Sequence, residues 1–129
     1  RARDGVDAMT ITTAIHKISQ SLTKALEAAE SPLTARQLMV LQAVSENDGC
    51  SQTKVVEMTG IDRSTLADVV RRLMKTGLIK RKRSQKDARA HVLSITELGS
   101  RELAKADSAR KKAEKEVIAQ FPILRGLAA

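Results

Sequence analysis

The chain has 129 residues, 42% of them hydrophobic, and a formal net charge of +8 at neutral pH, which suits one domain with a strongly basic surface. No apolar run approaches the roughly 18 residues that a membrane helix needs, so we expect neither a membrane span nor a membrane partner. With no tryptophan, no tyrosine and one phenylalanine, Phe121, the chain lacks the stacking platform that readers of single-stranded DNA or RNA use.

The single cysteine, Cys50, has no partner for an internal disulfide, which fits the reducing cytoplasm. We therefore expect a cytoplasmic protein. No cation flanks Cys50 to lower the pKa of its thiol, which favours a structural role over oxidant sensing. Residue 1 is arginine, consistent with a native N-terminus that lies upstream, and nothing in the sequence resembles a targeting peptide.

Two amphipathic helices are predicted first. Apolar residues recur every three or four positions up to Ala29, and Ser31-Pro32 ends this first helix. Thr34 and Gln37 have the spacing of a capping box, so Thr34 begins the second helix, and Asn47-Asp48-Gly49 forms the turn after it. The apolar positions are Ile11, Ile15, Ile18, Leu22 and Leu26 in the first helix and Leu38, Leu41 and Val44 in the second.

The next segment predicts a helix-turn-helix. Ser51 caps a short helix over Gln52–Met58, and Gly60 supplies a tight turn. Asp62 then caps a helix from Arg63 to about Thr76, which Gly77 ends at the C′ position. Two short helices joined by a glycine-containing turn of three or four residues define this motif. The inward residues of its second helix are Leu66, Val69, Val70 and Leu73.

A β-hairpin and a long helix are predicted to follow. We expect antiparallel strands over Lys80–Arg83 and Ala90–Ile95, with the polar loop Ser84–Ala88 between them. The first strand would alternate its four cations inward and outward, and the second would bury Leu93 and Ile95 on one face. Thr96 caps the last helix, Pro122 breaks it, and residues 123–129 add a short terminal helix. The apolar stripe of the last helix contains Leu98, Leu103, Ala106, Ala113 and Val117.

The charge of the chain is concentrated in one place. Nine lysine or arginine residues and one acid lie between Arg71 and His91, and this segment alone carries the net charge of +8. Such a footprint indicates a polyanionic partner, and the scarcity of aromatic residues favours double-stranded DNA. The alternative is a merely solvated charged face. The outward residues of the Arg63–Thr76 helix favour a DNA-binding surface over a solvated charged face, because small hydrogen-bonding side chains precede long cations along this helix.

Several segments together resemble the MarR family of bacterial transcription regulators, from about Leu33 to Leu103. They are Leu33-Thr34-x-x-Gln37-x-x-Val40-Leu41, Ile61-Asp62-Arg63-Ser64-Thr65-Leu66, Arg72-Leu73-x-x-x-Gly77-Leu78-Ile79-x-Arg81, Asp87-Ala88-Arg89-Ala90 and Leu93-Ser94-Ile95-Thr96-Glu97-Leu98-Gly99. Each piece is weak alone, but their order and spacing are specific. Many relatives differ at Ala67, Asp68 and Arg71, which puts the operator sequence in doubt rather than the DNA-binding role.

The resemblance implies a mainly α fold with a small β-hairpin: a winged helix-turn-helix lobe over residues 33–96, with dimerisation helices over residues 1–30 and 97–129, in a single domain of residues 1–129. A homodimer would place the second helix of the motif in a major groove and the wing near a minor groove. The expected DNA-binding residues are Arg63, Ser64, Thr65, Asp68, Arg71, Arg72, Lys75, Arg83, Lys86, Asp87 and Arg89. The expected dimerisation residues are Ile11, Ile15, Ile18, Leu22, Leu103, Ala106, Ala113 and Val117.

Three acidic or imidazole features have alternative interpretations. Asp68 would accept from a cytosine amino group or, as we favour, hold Arg72 by an i,i+4 pair. Asp87 would orient the guanidinium of Arg89, and an arginine suits a narrow minor groove. The alternative is that both are ordinary turn residues. No other metal-ligating residues accompany His16 or His91 in the sequence. His16 would line a ligand or dimer cleft, or simply lie on a helix face.

We therefore expect a homodimeric DNA-binding regulator, a repressor that binds a pseudo-palindromic operator in double-stranded DNA, with a small-molecule effector as the resemblance suggests. The sequence has no phosphate-binding glycine loop, no metal-ligand set and no nucleophile with an orienting base, so we expect no enzyme, no cofactor and no metal. The alternative is a winged-helix module that coats DNA without choosing sites or binds another protein.

Overall fold

The computed structural model describes residues 8–127 and confirms the predicted fold class. The described part of the chain divides into two compact units, which we call the winged-helix unit (Leu33–Ala106) and the terminal unit (residues 8–32 and 107–127). The first turns of the last helix thus belong to the winged-helix unit. The elements are α1 (Ile11–Ala28), α2 (Ala35–Glu46), α3 (Gln52–Thr59), α4 (Arg63–Lys75), β1 (Ile79–Arg83), β2 (His91–Ile95), α5 (Glu97–Gln120) and a 3₁₀ turn, Pro122–Leu124.

The core of the winged-helix unit contains the apolar faces that the sequence predicted. α2 packs against α3, α4 and β2, and the inward residues of α4 are all buried. Because the outward face of α4 then consists of polar and charged residues, the helix is held from one side and exposed on the other. The side chains that are most completely buried are Leu41, Leu66, Leu73, Leu93, Val40, Val44, Val55 and Val70.

α2 and the two helices of the motif, α3 and α4, begin where their capping residues predicted. The Thr34 hydroxyl accepts from the backbone N–H of Gln37, and the Gln37 side chain accepts from the backbone N–H of Thr34, which completes the capping box. Ser51 caps α3 by accepting from the N–H of Lys54 at 3.1 Å. Asp62 caps α4. Each such cap typically contributes about 1 kcal/mol to helix stability.

The end of α4 is a Schellman turn. Gly77 has φ of +80°, the left-handed conformation that glycine adopts without strain. The N–H of Leu78 bonds the carbonyl of Leu73 at 2.9 Å, and the N–H of Gly77 bonds that of Met74 at 3.1 Å. These two bonds satisfy carbonyls that the helix end leaves free, and they turn the chain directly into β1.

Thr96 joins the end of α4 to the start of α5. Its hydroxyl donates to the Gly77 carbonyl at 2.6 Å and accepts from the N–H of Gly99 at 2.9 Å. Its own N–H bonds the carbonyl of Leu78 at 3.1 Å. The predicted cap of α5 is therefore confirmed, and the same residue closes the base of the hairpin.

The hairpin pairs β1 with β2 in antiparallel register, from Ile79 opposite Ile95 to Arg83 opposite His91. The predicted alternation of cations in β1 is wrong, because every residue of that strand after Ile79 is exposed. The prediction for β2 was also incomplete, since Ser94 is buried as well as Leu93, while Ile95 is only partly buried.

The two strands have different neighbours. Cys50 forms a β-bridge to Leu93 on the edge of β2 that β1 does not occupy. The N–H of Leu93 bonds the Cys50 carbonyl at 2.7 Å, and the N–H of Gly49 bonds the Leu93 carbonyl at 2.9 Å. β2 is therefore flanked on both edges and packed on α2, whereas β1 is an edge strand that projects its cations into solvent.

The apolar stripe of α5 differs in part from the prediction. Leu98 is 42% exposed, and Leu103 is only partly buried against the winged-helix core. Ala106, Ala113 and Val117 are buried within a single chain, so a second subunit would gain little by covering them. Beyond α5, the predicted terminal helix is instead the short 3₁₀ turn followed by a turn to Leu127; residues 128 and 129 lie outside the described residues.

Within the terminal unit, α1 buries Ala25 and Leu26, and the second half of α5 buries Ala109, Ala113 and Val117. The Ser21 hydroxyl donates to Oε1 of Gln120 at 2.6 Å and links the two helices. Along α5, the Arg110 guanidinium bonds Asp107 and Glu114 at 2.7 and 2.8 Å, and its hydrogen bond lowers the pKa of Asp107.

Gly99 is predicted to be intolerant of any side chain. A Cβ there would lie 2.7 Å from Cγ1 of Ile95 and against the carbonyl oxygen of Leu78, the same oxygen that bonds Thr96. We expect Gly99→Ala to lower the free energy of unfolding by about 2–3 kcal/mol, as for overpacked cores. Urea denaturation measures this change. Gly126→Ala is the matched control, because a Cβ there meets nothing within 4 Å; equal effects of the two substitutions would contradict the close packing.

Candidate nucleic-acid interface

The exposed face of α4 begins with a hydrogen-bonded cluster at its N-terminus. Oδ2 of Asp62 accepts from the backbone N–H of Thr65 at 3.0 Å and from the hydroxyl of Ser64 at 2.9 Å. Ser64 is exposed and Thr65 partly exposed, so the two small hydroxyl residues predicted to meet base edges lie together at this end of the helix.

These hydrogen bonds stabilise the ionised form of Asp62. The pKa of its carboxyl group falls from the ordinary value of 3.8 to about 2, mainly because it accepts from the Thr65 side chain, then from the Thr65 backbone and the Ser64 hydroxyl. A carboxylate at the N-terminus also interacts favourably with the helix dipole. Asp62 is therefore a full negative charge, and an acceptor only, at neutral pH.

Arg63 lies at the junction of the two helices of the motif. Its Nη1 donates to the hydroxyl of Thr53, on α3, at 3.3 Å. The predicted DNA-binding residue is thus exposed, but it is also linked to the neighbouring helix. Sequence reasoning missed Thr53, because no local pattern connects residues ten positions apart on different helices.

Asp68 holds two cations rather than the single one we favoured. Its Oδ2 lies 3.5 Å from Nε of Arg72, the predicted i,i+4 pair, and its Oδ1 accepts a hydrogen bond from Arg71 one residue earlier. All three side chains are well exposed, so the pairs contribute little to stability. Their effect is to orient the two guanidinium groups along the outward face of α4, next to the exposed Lys75.

The wing, which consists of β1, β2 and the loop of residues 84–90 between them, is shaped by local hydrogen bonds. The Ser84 hydroxyl accepts from the N–H of Lys86 at 3.2 Å and of Asp87 at 3.3 Å. Nη1 of Arg83 donates to the Ala88 carbonyl at 3.0 Å across the loop. Arg83 is therefore partly engaged in the fold of the wing, whereas Lys86 is exposed. Sequence reasoning left Ser84 out of the site, although a serine that opens a polar loop is a common turn-forming residue.

Asp87 contacts Arg89 at the tip of the wing, as the sequence predicted. Its Oδ1 accepts from the backbone N–H of Arg89 at 3.0 Å and lies 3.6 Å from Nε of the guanidinium. The Arg89 side chain is 94% exposed. The carboxylate thus sets the direction in which a nearly free guanidinium leaves the wing.

The structure adds three cations to the predicted set. Lys80, Arg81 and Lys82 are all exposed on β1. The charge concentration in the sequence already included them, although the predicted site residues from this strand contained only Arg83. The basic surface therefore runs along both α4 and the hairpin.

Other candidate groups do not form a site. Burial raises the pKa of the Cys50 thiol, which opposes thiolate chemistry. Among residues 8–127, no three His, Cys, Asp or Glu side chains are arranged to hold a metal ion, and both histidines are exposed. Over the same residues, no helix combines the length and apolar character that crossing a membrane requires.

Sequence comparison identifies the family. The MarR family profile matches residues 31–90, which contain α2, α3, α4 and most of the wing. The organic hydroperoxide resistance transcriptional regulator of Bacillus subtilis is 34% identical over 68 residues, 53% of this chain and 46% of that protein. Over residues 31–90 the chain is therefore similar to the MarR family. This family consists of transcription regulators, not enzymes.

Solved structures of transcription regulators are similar over most of the chain. The PcaV transcriptional regulator of Streptomyces coelicolor, in complex with its natural ligand, is 28% identical with a TM-score of 0.75, over 95% of this chain and 83% of that one. The transcriptional repressor CouR, bound to a 23-mer DNA duplex, is 27% identical with a TM-score of 0.73, over 84% and 75%. The chain spans about half the length of the curated relatives it matches.

The lowered pKa of Asp62 predicts that the stability of the fold depends on pH. Because its pKa falls from 3.8 to about 2 on folding, the ionised carboxylate stabilises the fold above pH 3.8, and this stabilisation is lost as pH falls toward 2. Asp62→Asn keeps a good cap but cannot titrate. We expect the stability difference between parent and variant to be constant above about pH 5 and to decrease toward pH 2.

Chemical denaturation at a series of pH values measures this difference. Subtracting the free energy of unfolding of the variant from that of the parent at each pH removes the contribution of the other carboxylates. These include Asp107, whose pKa is also lowered. A difference that stays the same from neutral pH to about pH 2 would show that folding does not perturb Asp62.

Proposed function

We propose that this protein is a transcription regulator that binds specific sites in double-stranded DNA as a homodimer and represses a gene. The observation that carries the proposal is the arrangement of α4 and the hairpin: both bury their apolar residues in one core and leave their cations exposed. Such a surface attracts a polyanion, and an exposed helix next to a basic β-hairpin suits the grooves of duplex DNA.

The residues of this surface would have different roles. Ser64 and Thr65, at the N-terminal end of α4, are short enough to bond base edges in a major groove. Arg71, Arg72 and Lys75, toward its C-terminal end, would neutralise phosphates. The solved structure of CouR, which is 27% identical, has the repressor bound to a DNA duplex, and this supports the same kind of partner for our chain. The bacterial cytoplasm would be its location.

An apolar surface of the terminal unit supports the homodimer. Ile11 and Ile15 are 79% and 62% exposed, and Leu127 is 80% exposed. A groove of about 260 Å³ continues this surface; it is lined by Ile18, Leu22, Glu114, Val117, Ile118, Leu124 and Leu127. Exposed apolar side chains that adjoin an apolar groove are typical of a protein interface. The dimer proposal therefore rests on Ile11, Ile15, Ile18 and Leu22 and not on the buried residues of α5.

The proposal includes a small-molecule effector. PcaV, which is 28% identical, was crystallised with its natural ligand. The terminal unit of our chain has a cleft of about 510 Å³, a volume within the usual range for small-molecule sites. Lys112, Lys115 and Glu116 line it beside five alanines, so a small molecule with an apolar body and a polar group would suit it.

Selection of bound duplexes from a random library tests the DNA-binding proposal. We expect enrichment of one pseudo-palindromic sequence that exceeds random duplex in affinity by at least about 10³-fold. The affinity should also fall steeply with salt, with a log–log slope of about −5 to −9 if a dimer neutralises 6–10 phosphates. Strong but indiscriminate binding would instead favour an architectural protein, and a slope near zero would exclude a role for the basic surface.

The two parts of the surface should respond differently to mutation. Ser64→Ala should change preference at particular base pairs, because it removes a group that meets base edges. Lys75→Ala should weaken all duplexes about equally, because phosphates are the same in every sequence. Competition binding with the selected operator and random duplex measures both effects. Equal loss on all duplexes for both variants would contradict this division of roles.

Arg89→Ala should lower operator affinity by at least about tenfold, because it removes a cation directed away from the wing. The wing should keep its shape, since Asp87 bonds the backbone N–H of residue 89 and not only the guanidinium. We therefore expect an unchanged melting temperature. Arg101→Ala is the control, an exposed arginine on α5 outside the basic segment, and should bind within about twofold of the parent. Parent-like binding by Arg89→Ala would remove the wing from the interface.

Ile15→Glu should dissociate the dimer. In one chain Ile15 is 62% exposed, so a carboxylate there costs the fold little. In the proposed dimer it would be buried without a partner, which is strongly unfavourable. Sedimentation velocity at micromolar concentration should show a dimeric parent and a folded monomeric variant. Gln20→Glu, at an exposed position of the same helix, should remain dimeric. A parent that is monomeric at this concentration would exclude the proposed dimer.

A further inference from the structure

Ser64 differs from an ordinary surface serine because its hydroxyl proton has a fixed acceptor. Its Oγ lies 2.9 Å from Oδ2 of Asp62, and Oδ2 also accepts from the N–H of Thr65. A serine hydroxyl has one proton and two lone pairs, while an ionised carboxylate can only accept. The direction of this hydrogen bond is therefore settled by chemistry: Ser64 donates and Asp62 accepts.

A consequence follows for the outward side of Ser64. Once its proton is engaged by Asp62, the exposed oxygen can offer only lone pairs to a third group. In the major groove, the groups that can donate to it are the exocyclic amino groups, N6 of adenine and N4 of cytosine. An unconstrained serine would rotate and pair with acceptors as well, such as N7 of a purine or O4 of thymine.

We propose that Asp62 is a specificity-determining residue that acts through Ser64, restricting it to accepting a hydrogen bond from an adenine or cytosine amino group. This inference rests on the proposed binding of duplex DNA. Asp62 itself is a positioning residue, and no contact between Asp62 and DNA is required. The low pKa of Asp62 supports it, since the carboxylate stays ionised throughout the neutral range.

Base analogues test the direction of the hydrogen bond. Starting from the selected operator, the base pair that depends on Ser64 is found by comparing the parent with Ser64→Ala. At that pair, one duplex lacks the amino group, with purine in place of adenine or 2-pyrimidinone in place of cytosine. A second carries carbon in place of N7 of the purine. We expect the parent to lose about five- to tenfold in affinity for the first duplex and less than about twofold for the second.

Asp62→Asn should change this pattern without unfolding the protein. Asparagine caps helices about as well as aspartate, but its amide can donate as well as accept, so the Ser64 proton is no longer restricted. We expect its affinity loss for the duplex without the amino group to shrink to about twofold or less. In the Ser64→Ala background, Asp62→Asn should have no further effect on this base pair, because the two residues act as one unit.

A cap on the neighbouring helix controls for stability alone. Ser51→Ala removes an equivalent cap, whose hydroxyl bonds the Lys54 N–H and no residue of α4. It should lower stability and leave the response to both base analogues unchanged. If Asp62→Asn behaves like Ser51→Ala and retains the dependence on the amino group, Asp62 is only a cap and the inference is wrong.

Three further results would overturn the inference. If the affinity of the parent depends on N7 in the base pair that requires Ser64, then Ser64 donates a hydrogen bond to DNA. Selective operator binding with no base pair that depends on Ser64 would remove Ser64 from recognition while leaving the proposed function intact. If the parent shows no selectivity among duplexes at all, the proposed function itself fails, and the inference fails with it.

Discussion

The hydroxyl group of Thr96 is the contact on which the geometry of the winged-helix unit depends. It donates to the carbonyl of Gly77, where α4 ends, and accepts from the N–H of Gly99, where α5 begins. The hairpin lies between these two points in the chain, so both of its ends are fixed at one place. A helix end, a strand pair and a helix start are thereby connected through a single side chain. Valine would have the shape of threonine but neither of these hydrogen bonds.

Burial and charge are separated along the same elements. α4 contributes Leu66, Val70 and Leu73 to the core, while its opposite face carries Asp68 with the two arginines it orients. β1 contributes one buried residue, Ile79, and four exposed cations. The apolar residues thus determine where these elements lie, and the polar residues determine what the surface attracts. Arg71, Arg72 and Lys80 are each adjacent in sequence to a buried residue, which anchors this part of the basic surface to the core.

Much of this arrangement was predictable from local sequence patterns. Capping residues and glycines act within four or five residues, so Thr34, Asp62 and Gly77 could be assigned without a structure. The missing parts depend on contacts between distant residues. The bridge from Cys50 to Leu93 makes β2 an inner strand, and no periodicity within the strand contains that information. The bond from Arg63 to Thr53 was missed for the same reason, whereas the Asp87–Arg89 pair, two residues apart, was predicted.

The one-sided packing of α4 has a consequence for how such proteins diversify. Most of its outward residues make no contribution to the core, so they can be exchanged after a gene duplication without passing through an unstable intermediate. Asp62 is the exception, since the same carboxylate begins the helix and holds Ser64. A change there alters folding and the exposed hydroxyl together. We therefore expect the amino acids of paralogues to differ first at Asp68, Arg71 and Arg72, and last at Asp62, where the helix starts.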